Sequence, residues 1–340
     1  MDSLLRSGLR AWQAVAGDNT TLERSLKSQY RSARRLAKEA HVPRQWTAIT
    51  NKLQKKYVGE NFAIFWSGSD RANRIGLYAI GSCDLPAIFA TMPLIRPVLN
   101  GTCCVIREGL VAHSRSDVLL QSLKEFPQQH IAEVIEKLQL GVEYFQPRLF
   151  NPTFTVPGPD GPQQFPKKLV ILSIAGDVIR TLYRHREYGF LVDPGGWWLN
   201  QSMENVLHEL STVSWFRENF VSVGMISVDQ FMENFTEIVQ LVRNKTGAPV
   251  MVFNLPTIDP GSRTHCYQFI KNPQNMRRQE FNLALVALSR KLDFPIVDVE
   301  RSLKRAGISE MQRDSAHYPT EAYGLVAQEA YAIMRELKVF

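Results

Sequence analysis

The chain has 340 residues, 44% of them hydrophobic and 21% charged, a balance that argues against disorder and suits one large domain or a domain with an extension. No apolar run reaches the roughly 20 residues that span a bilayer, and the N-terminus MDSLLRSGLRAWQAVAG lacks the apolar core and cleavage site of a signal peptide, so a cytoplasmic protein without a transmembrane segment is expected. The net charge of +7 sits entirely in residues 1–60, with 12 Lys/Arg against 5 Asp/Glu, while the other 280 residues carry 28 of each.

Residues 1–58 read as helical. Leu4, Leu5, Leu9, Trp12 and Val15 recur at helical spacing, and a second helix is expected from Thr21 to Ala40 with Arg and Lys crowding its polar face. Pro43 opens a further element carrying Trp46, Ile49, Leu53 and Tyr57. Such a basic stretch suits an anionic partner or carrier protein docking on residues 1–60, or is the solvated face of a packed extension. No nucleic-acid motif accompanies the charge, so nucleic acid is not the expected partner. Residues 1–75 are set apart as a basic helical N-terminal extension.

From residue 76 short apolar runs alternate with helical stretches. Strands are expected at Leu77–Ile80, Cys103–Ile106, Leu169–Ile174, Val250–Phe253 and Pro295–Val297. Helices are expected at Leu85–Thr91, His130–Leu140, Val228–Lys245, Arg277–Leu292 and Thr320–Leu337. The alternation predicts that residues 76–340 form a three-layer α/β/α sandwich around a mostly parallel five-stranded sheet. Its strand C-terminal ends would gather at one edge, where ligands bind. Insertions at about 120–167 and 183–220 interrupt the pattern. The first ends in a stretch rich in proline and glycine. The second carries Gly195-Gly196-Trp197-Trp198, either a wall over a site or a core anchor.

The four cysteines, Cys83, Cys103, Cys104 and Cys266, form no CxxC pair and no Cys/His ladder. They read as small buried hydrophobes in a reducing compartment, and no metal site is expected.

The chemistry-bearing signal lies near the C-terminus, in Arg313-Asp314-Ser315-Ala316-His317-Tyr318-Pro319-Thr320. An Asp and a His three apart on a loop can set a carboxylate against one imidazole nitrogen and leave the other free to deprotonate a nucleophile. Pro319 and Thr320 suit the start of the helix that follows. Upstream, Gly81-Ser82-Cys83 follows the strand ending at Ile80. A serine at a strand-to-helix turn exposes its hydroxyl beside a helix N-terminus, which favours developing negative charge. Two readings of Ser82 stand at this point, nucleophile or helix cap. Asp314 and His317 could likewise be a helix-leading carboxylate and an exposed imidazole.

Taken together, these blocks resemble the SGNH (GDSL-like) hydrolase superfamily over roughly residues 76–337. Its last block is an Asp-x-x-His before the terminal helix, followed by Pro, Thr and a later glycine. Asp314, His317, Pro319, Thr320 and Gly324 match in order, and Ser82 looks like the nucleophile of branches carrying Gly-Ser-Cys in place of Gly-Asp-Ser. The resemblance implies an SGNH/flavodoxin-like sheet and an oxyanion hole built from the Ser82 backbone N–H, a glycine after the second strand and an asparagine after the third. Gly109 can fill the glycine role. The third strand instead ends Ser173-Ile174-Ala175-Gly176-Asp177, where Asp177 is expected to orient a loop or a substrate hydroxyl, and Asn254 after the fourth strand is the remaining asparagine within reach.

The resemblance thus implies a serine esterase or O-acyltransferase with Ser82, His317 and Asp314 as a triad, a small-molecule or carbohydrate acyl ester or thioester as substrate, and no cofactor. Two other readings remain. A non-catalytic protein of the same fold could bind a carbohydrate or acyl ligand, or the chain could be an interaction protein acting through its basic N-terminal segment.

Overall fold

The computed structural model describes residues 47–51, 54–58, 62–66, 74–81, 85, 102–107, 115–123, 131–138, 167–193, 207, 209–257, 274–307 and 318–339. By internal contacts the chain divides into residues 1–45 and 46–340, and all described residues lie in the second unit.

Strands Thr47–Asn51 (β1), Gln54–Val58 (β2) and Phe62–Trp66 (β3) come first, then Arg74–Ile80 (β4), Thr102–Arg107 (β5) and Lys167–Ser173 (β6). Leu182–His185 (β7), Leu191–Val192 (β8) and Phe220–Gly224 (β9) follow, and Val250–Phe253 (β10) and Ile296–Val297 (β11) complete the set. The described helices are Ser116–Leu123 (α1), Ala132–Leu138 (α2), Ala175–Ile179 (α3), Leu210–Asn219 (α4), Val228–Thr246 (α5), Gln274–Leu292 (α6), Val299–Arg305 (α7) and Thr320–Glu336 (α8).

Eight strands form one sheet in the order β1-β2-β3-β5-β4-β6-β10-β11. β4 runs parallel to both β5 and β6, and β10 runs parallel to both β6 and β11. The middle of β6, Leu169–Leu172, and the whole of β10, Val250–Phe253, are apolar and buried, as a parallel sheet covered on both faces requires. Side-chain alternation divides them between two cores. Val170 and Leu172 of β6, with Val250 and Val252 of β10, pack against α1, α5 and α6 through residues such as Leu119, Phe231, Ile238, Phe281 and Leu285. Leu169 and Ile171, with Met251 and Phe253, pack on the opposite face against Val299 and Leu303 of α7 and Val326, Ala330 and Met334 of α8. Helices therefore cover both faces of the central strands.

Local chemistry fixes several helix ends. Ser227 caps α5 by accepting the Gln230 N–H at 3.2 Å, and Gly247 closes it in the left-handed region at φ +66°. Asp298 caps α7 by accepting the Arg301 N–H at 3.0 Å. α8 begins at Thr320, directly after Pro319, where a proline's missing N–H costs nothing.

Two features depart from the sequence reading. Residues 47–58 were expected to be helical, yet β1, β2 and β3 are antiparallel strands that extend the sheet to eight by pairing β3 with β5. Five-residue stretches such as Thr47–Asn51 and Gln54–Val58 are too short for hydrophobic period to decide between strand and helix. The second departure is the insertion at 183–220, which together with its flanks contributes a separate antiparallel sheet, β8-β7-β9, and the helix α4. Phe190, Val192, Phe216 and Phe220 form its core together with Val118, Ile131 and Val134. Trp197 and Trp198 lie outside the described residues, as does the stretch 146–166.

Candidate active-site edge

The C-terminal ends of β4, β6, β10 and β11 lie along one edge of the sheet, because the ladders between them are all parallel. β4 leaves the sheet at Ile80-Gly81 beside Ser173 at the end of β6. A Cβ on Gly81 would fall 2.6 Å from Ser173 Cβ and 2.4 Å from Leu85 Cδ1, so only glycine fits without a shift of backbone or side chain. The residue immediately before Ser82 is thus held by close packing.

The other rim of the edge is reached through a shared core. Leu85, three residues after Ser82, and Tyr318, next to His317, are both buried in the cluster that joins Ile171, Phe253, Val299 and α8. The Tyr318 N–H donates to the Tyr323 hydroxyl at 3.3 Å, and the two rings meet edge to face at 5.4 Å, which ties the entrance of α8 to its first turn.

At the end of β6 the chain turns directly into α3. Asp177 of α3 is buried and accepts the Ser116 N–H at 2.8 Å and the Ser116 hydroxyl at 2.5 Å. Ser116 Oγ in turn accepts from Asn234 Nδ2 at 3.2 Å. Burial pushes the Asp177 carboxyl up to about 7, against the lowering pull of the Ser116 hydrogen bonds and the Arg115 guanidinium. Arg115, also buried, forks onto Asp117 at 2.6 and 3.2 Å and donates to the Arg180 and Gly224 carbonyls. Arg277 of α6 donates to the carbonyls of Asp177, Val178 and Ile226, and burial holds its own guanidinium below the usual arginine range. Asp177 therefore orients the entrance of α1.

At the end of β10, the Asn254 side-chain Nδ2 donates to Asp298 at 2.9 Å and its Oδ1 accepts the Val299 N–H at 2.7 Å. One amide thus locks the β10 end to the start of α7. Beside it, the Thr257 hydroxyl donates to Glu300, which also pairs with Lys304 at 2.5 Å.

No family model matches the chain, and no curated protein matches it. Among solved structures, a member of the lipolytic protein G-D-S-L family from Veillonella parvula aligns at TM-score 0.39 and 10% identity, over 77% of this chain and 98% of its own. An acetylxylan esterase from Geobacillus stearothermophilus aligns at 0.39 and 8%, over 78% and 93%. An α/β hydrolase from a Lake Arreo metagenome aligns at 0.39 and 10%, over 77% and 94%.

Of the residues singled out from sequence, Ser82, Gly109, Asp314 and His317 lie outside the described residues, whereas Asn254 is described. Its amide is spent on Asp298 and Val299, which gives it a positioning part at the edge. Gly324 lies within α8, where a Cβ would meet nothing within 4 Å, so packing does not explain it. Arg115, Ser116, Asn234 and Arg277 escaped the sequence reading. Apart from the local Arg115–Asp117 and Gln230–Asn234 contacts, their side-chain hydrogen-bond partners lie 51 to 118 positions away, and nothing in the neighbouring sequence signals those long-range contacts.

Among the described residues, no group of three or more His, Cys, Asp or Glu is placed to hold a metal ion, and no helix is long and apolar enough to cross a membrane.

Proposed function

We propose that the chain is a serine-dependent acyl-ester hydrolase or O-acyltransferase. Ser82 attacks the acyl carbonyl, His317 takes the hydroxyl proton and returns it to the leaving group, and Asp314 holds the imidazole. The backbone N–H groups of Ser82 and Gly109 face the oxyanion. Water or an alcohol, a sugar hydroxyl included, then releases the acyl group. The substrate is a small-molecule or carbohydrate ester or thioester.

The observation that carries this reading is the shared burial of Leu85 and Tyr318 in one cluster. Leu85 lies three positions after the serine and Tyr318 one after the histidine, and their common core supports a reading in which the two side chains meet at one edge. The tight seat of Gly81 adds a reason why a small residue precedes the serine at that strand end.

The test is hydrolysis of p-nitrophenyl acetate by purified variants. Ser82→Ala and His317→Ala should each lower kcat/KM by at least about 10³-fold, and the Ser82→Ala/His317→Ala double variant should lose little more, as members of one catalytic unit do. Losses that multiply in the double variant would place the two groups in separate roles.

A specific observation favours a second reading. Asp177 stands where the superfamily carries its asparagine, and its carboxylate is committed to Ser116. An oxyanion hole lacking that donor would turn over more slowly by about 10²–10³-fold. A wild-type chain that binds acetylated sugars but hydrolyses none of them is a binding protein built on this fold.

A further inference from the structure

Helix α6 is anchored along its whole inner side. Phe281, Ala284, Leu285 and Leu288 enter the core, and Phe281 packs on Phe231 at 5.0 Å. Arg277 grips three carbonyls, and Asn282 bridges the N–H and carbonyl of Leu255 at 3.2 and 2.6 Å. Arg243 of α5 caps its C-terminal end by donating to the Leu292 and Asp293 carbonyls. The helix is thus rigid before anything docks on it, which lowers the entropic cost of binding there.

Its outer side carries apolar residues among polar ones. Leu283 is 70% exposed, and Met276 and Val286 are exposed beside it. Met276 and Leu283 are seven residues apart, and Val286 and Ala287 follow three and four later, so they line one stripe opposite the buried face. Scattered exposed apolar residues need no explanation, but an apolar stripe on a braced helix does. Gln279 and Glu280 lie between Met276 and Leu283, and Arg290 and Lys291 follow at the C-terminal end, all four exposed.

We propose that this face of α6 pairs antiparallel with the same face of a second copy of the chain. With a two-fold axis passing beside Leu285, Leu283 of each copy meets Ala287 of the other, and the Val286 side chains close the centre. Glu280 then stands opposite Arg290, and Gln279 opposite Lys291, twice over. The pairing is self-complementary in charge through Glu280 and Arg290, made once on each side of the axis, as an isologous interface demands. In a parallel pairing like charges would face each other. A single helix pair is small for an interface, so the dimer is weak and forms at micromolar or higher concentration.

The test is sedimentation equilibrium of the full chain from about 1 to about 200 µM, the range in which so small an interface would act. A monomer–dimer equilibrium is expected, and Leu283→Glu should raise its dissociation constant at least about tenfold. Glu280→Arg and Arg290→Glu should each weaken the dimer, while the two together restore it by exchanging the charges. Circular dichroism on every variant should match wild type, since the altered side chains are exposed. A chain monomeric throughout the range, a dimer indifferent to Leu283→Glu, a dimer lost only on removal of residues 1–45, or a charge-exchanged double variant weaker than either single one would each overturn the proposal.

Discussion

Gly81 shows how one missing side chain sets a strand end. Gly81→Ala would force a methyl into the space held by Ser173 Cβ and Leu85 Cδ1. Overpacking of this kind costs about 1–3 kcal/mol, read as a lower urea midpoint at unchanged m-value. Leu85→Ala in the same chain should recover part of that loss relative to the two single changes, and strictly additive losses would mean the clash is relieved elsewhere. Asp177 makes a second residue-scale prediction. Its folded carboxyl titrates at about 7 rather than at the ordinary 3.8, so the folded chain holds that proton more tightly than the unfolded one. The stability it contributes is full below pH 3.8 and is lost as pH rises through about 7. Asp177→Asn should therefore flatten the fall in urea midpoint between about pH 4 and 8, by an amount on the order of 4 kcal/mol at most. An unchanged slope in the variant would assign the titration to another group.

Elements were legible where a period ran long enough to be counted. The apolar run Leu169–Leu172 announces a strand buried on both faces, and Phe231, Phe235, Ile238 and Val242 mark one side of α5. The Pro319-Thr320 start of α8 also follows from local chemistry alone. β7, β8 and β9 were not legible, because strands of four, two and five residues exist only through one another, and β7 finds its partner β9 some forty positions away. The same holds for the site edge. Asp177 was readable as an orienting group, but Ser116, its partner 61 positions upstream, carries no local mark. The junction of β10 and α7 gives an element-scale test. Asn254→Ala removes the acceptor of the buried Val299 N–H and a donor to Asp298, which should cost about 1–3 kcal/mol in urea unfolding. Asn254→Asp should cost more, because it sets two carboxylates side by side.

For the molecule as a whole, charge and architecture divide at different places. The excess positive charge runs to residue 60, while the second unit begins at Trp46 and its first strands occupy residues 47–58. Removing residues 1–45 should leave the melting temperature of the remaining unit within a few degrees of the full chain. Removing residues 1–60 also deletes β1 and β2 and should lower it clearly, and equal effects would contradict the sheet boundary. Any salt-dependent binding to an anionic surface should weaken in the shorter truncation, which leaves the sheet intact. The central claim concerns one hydroxyl. Treating the full chain with a fluorophosphonate and mapping the adduct by peptide mass spectrometry should find the phosphonyl group on Ser82, with labelling slowed at least about 10³-fold in His317→Ala. An adduct on any other residue, or a Ser82 labelled as fast without His317 as with it, would contradict the account.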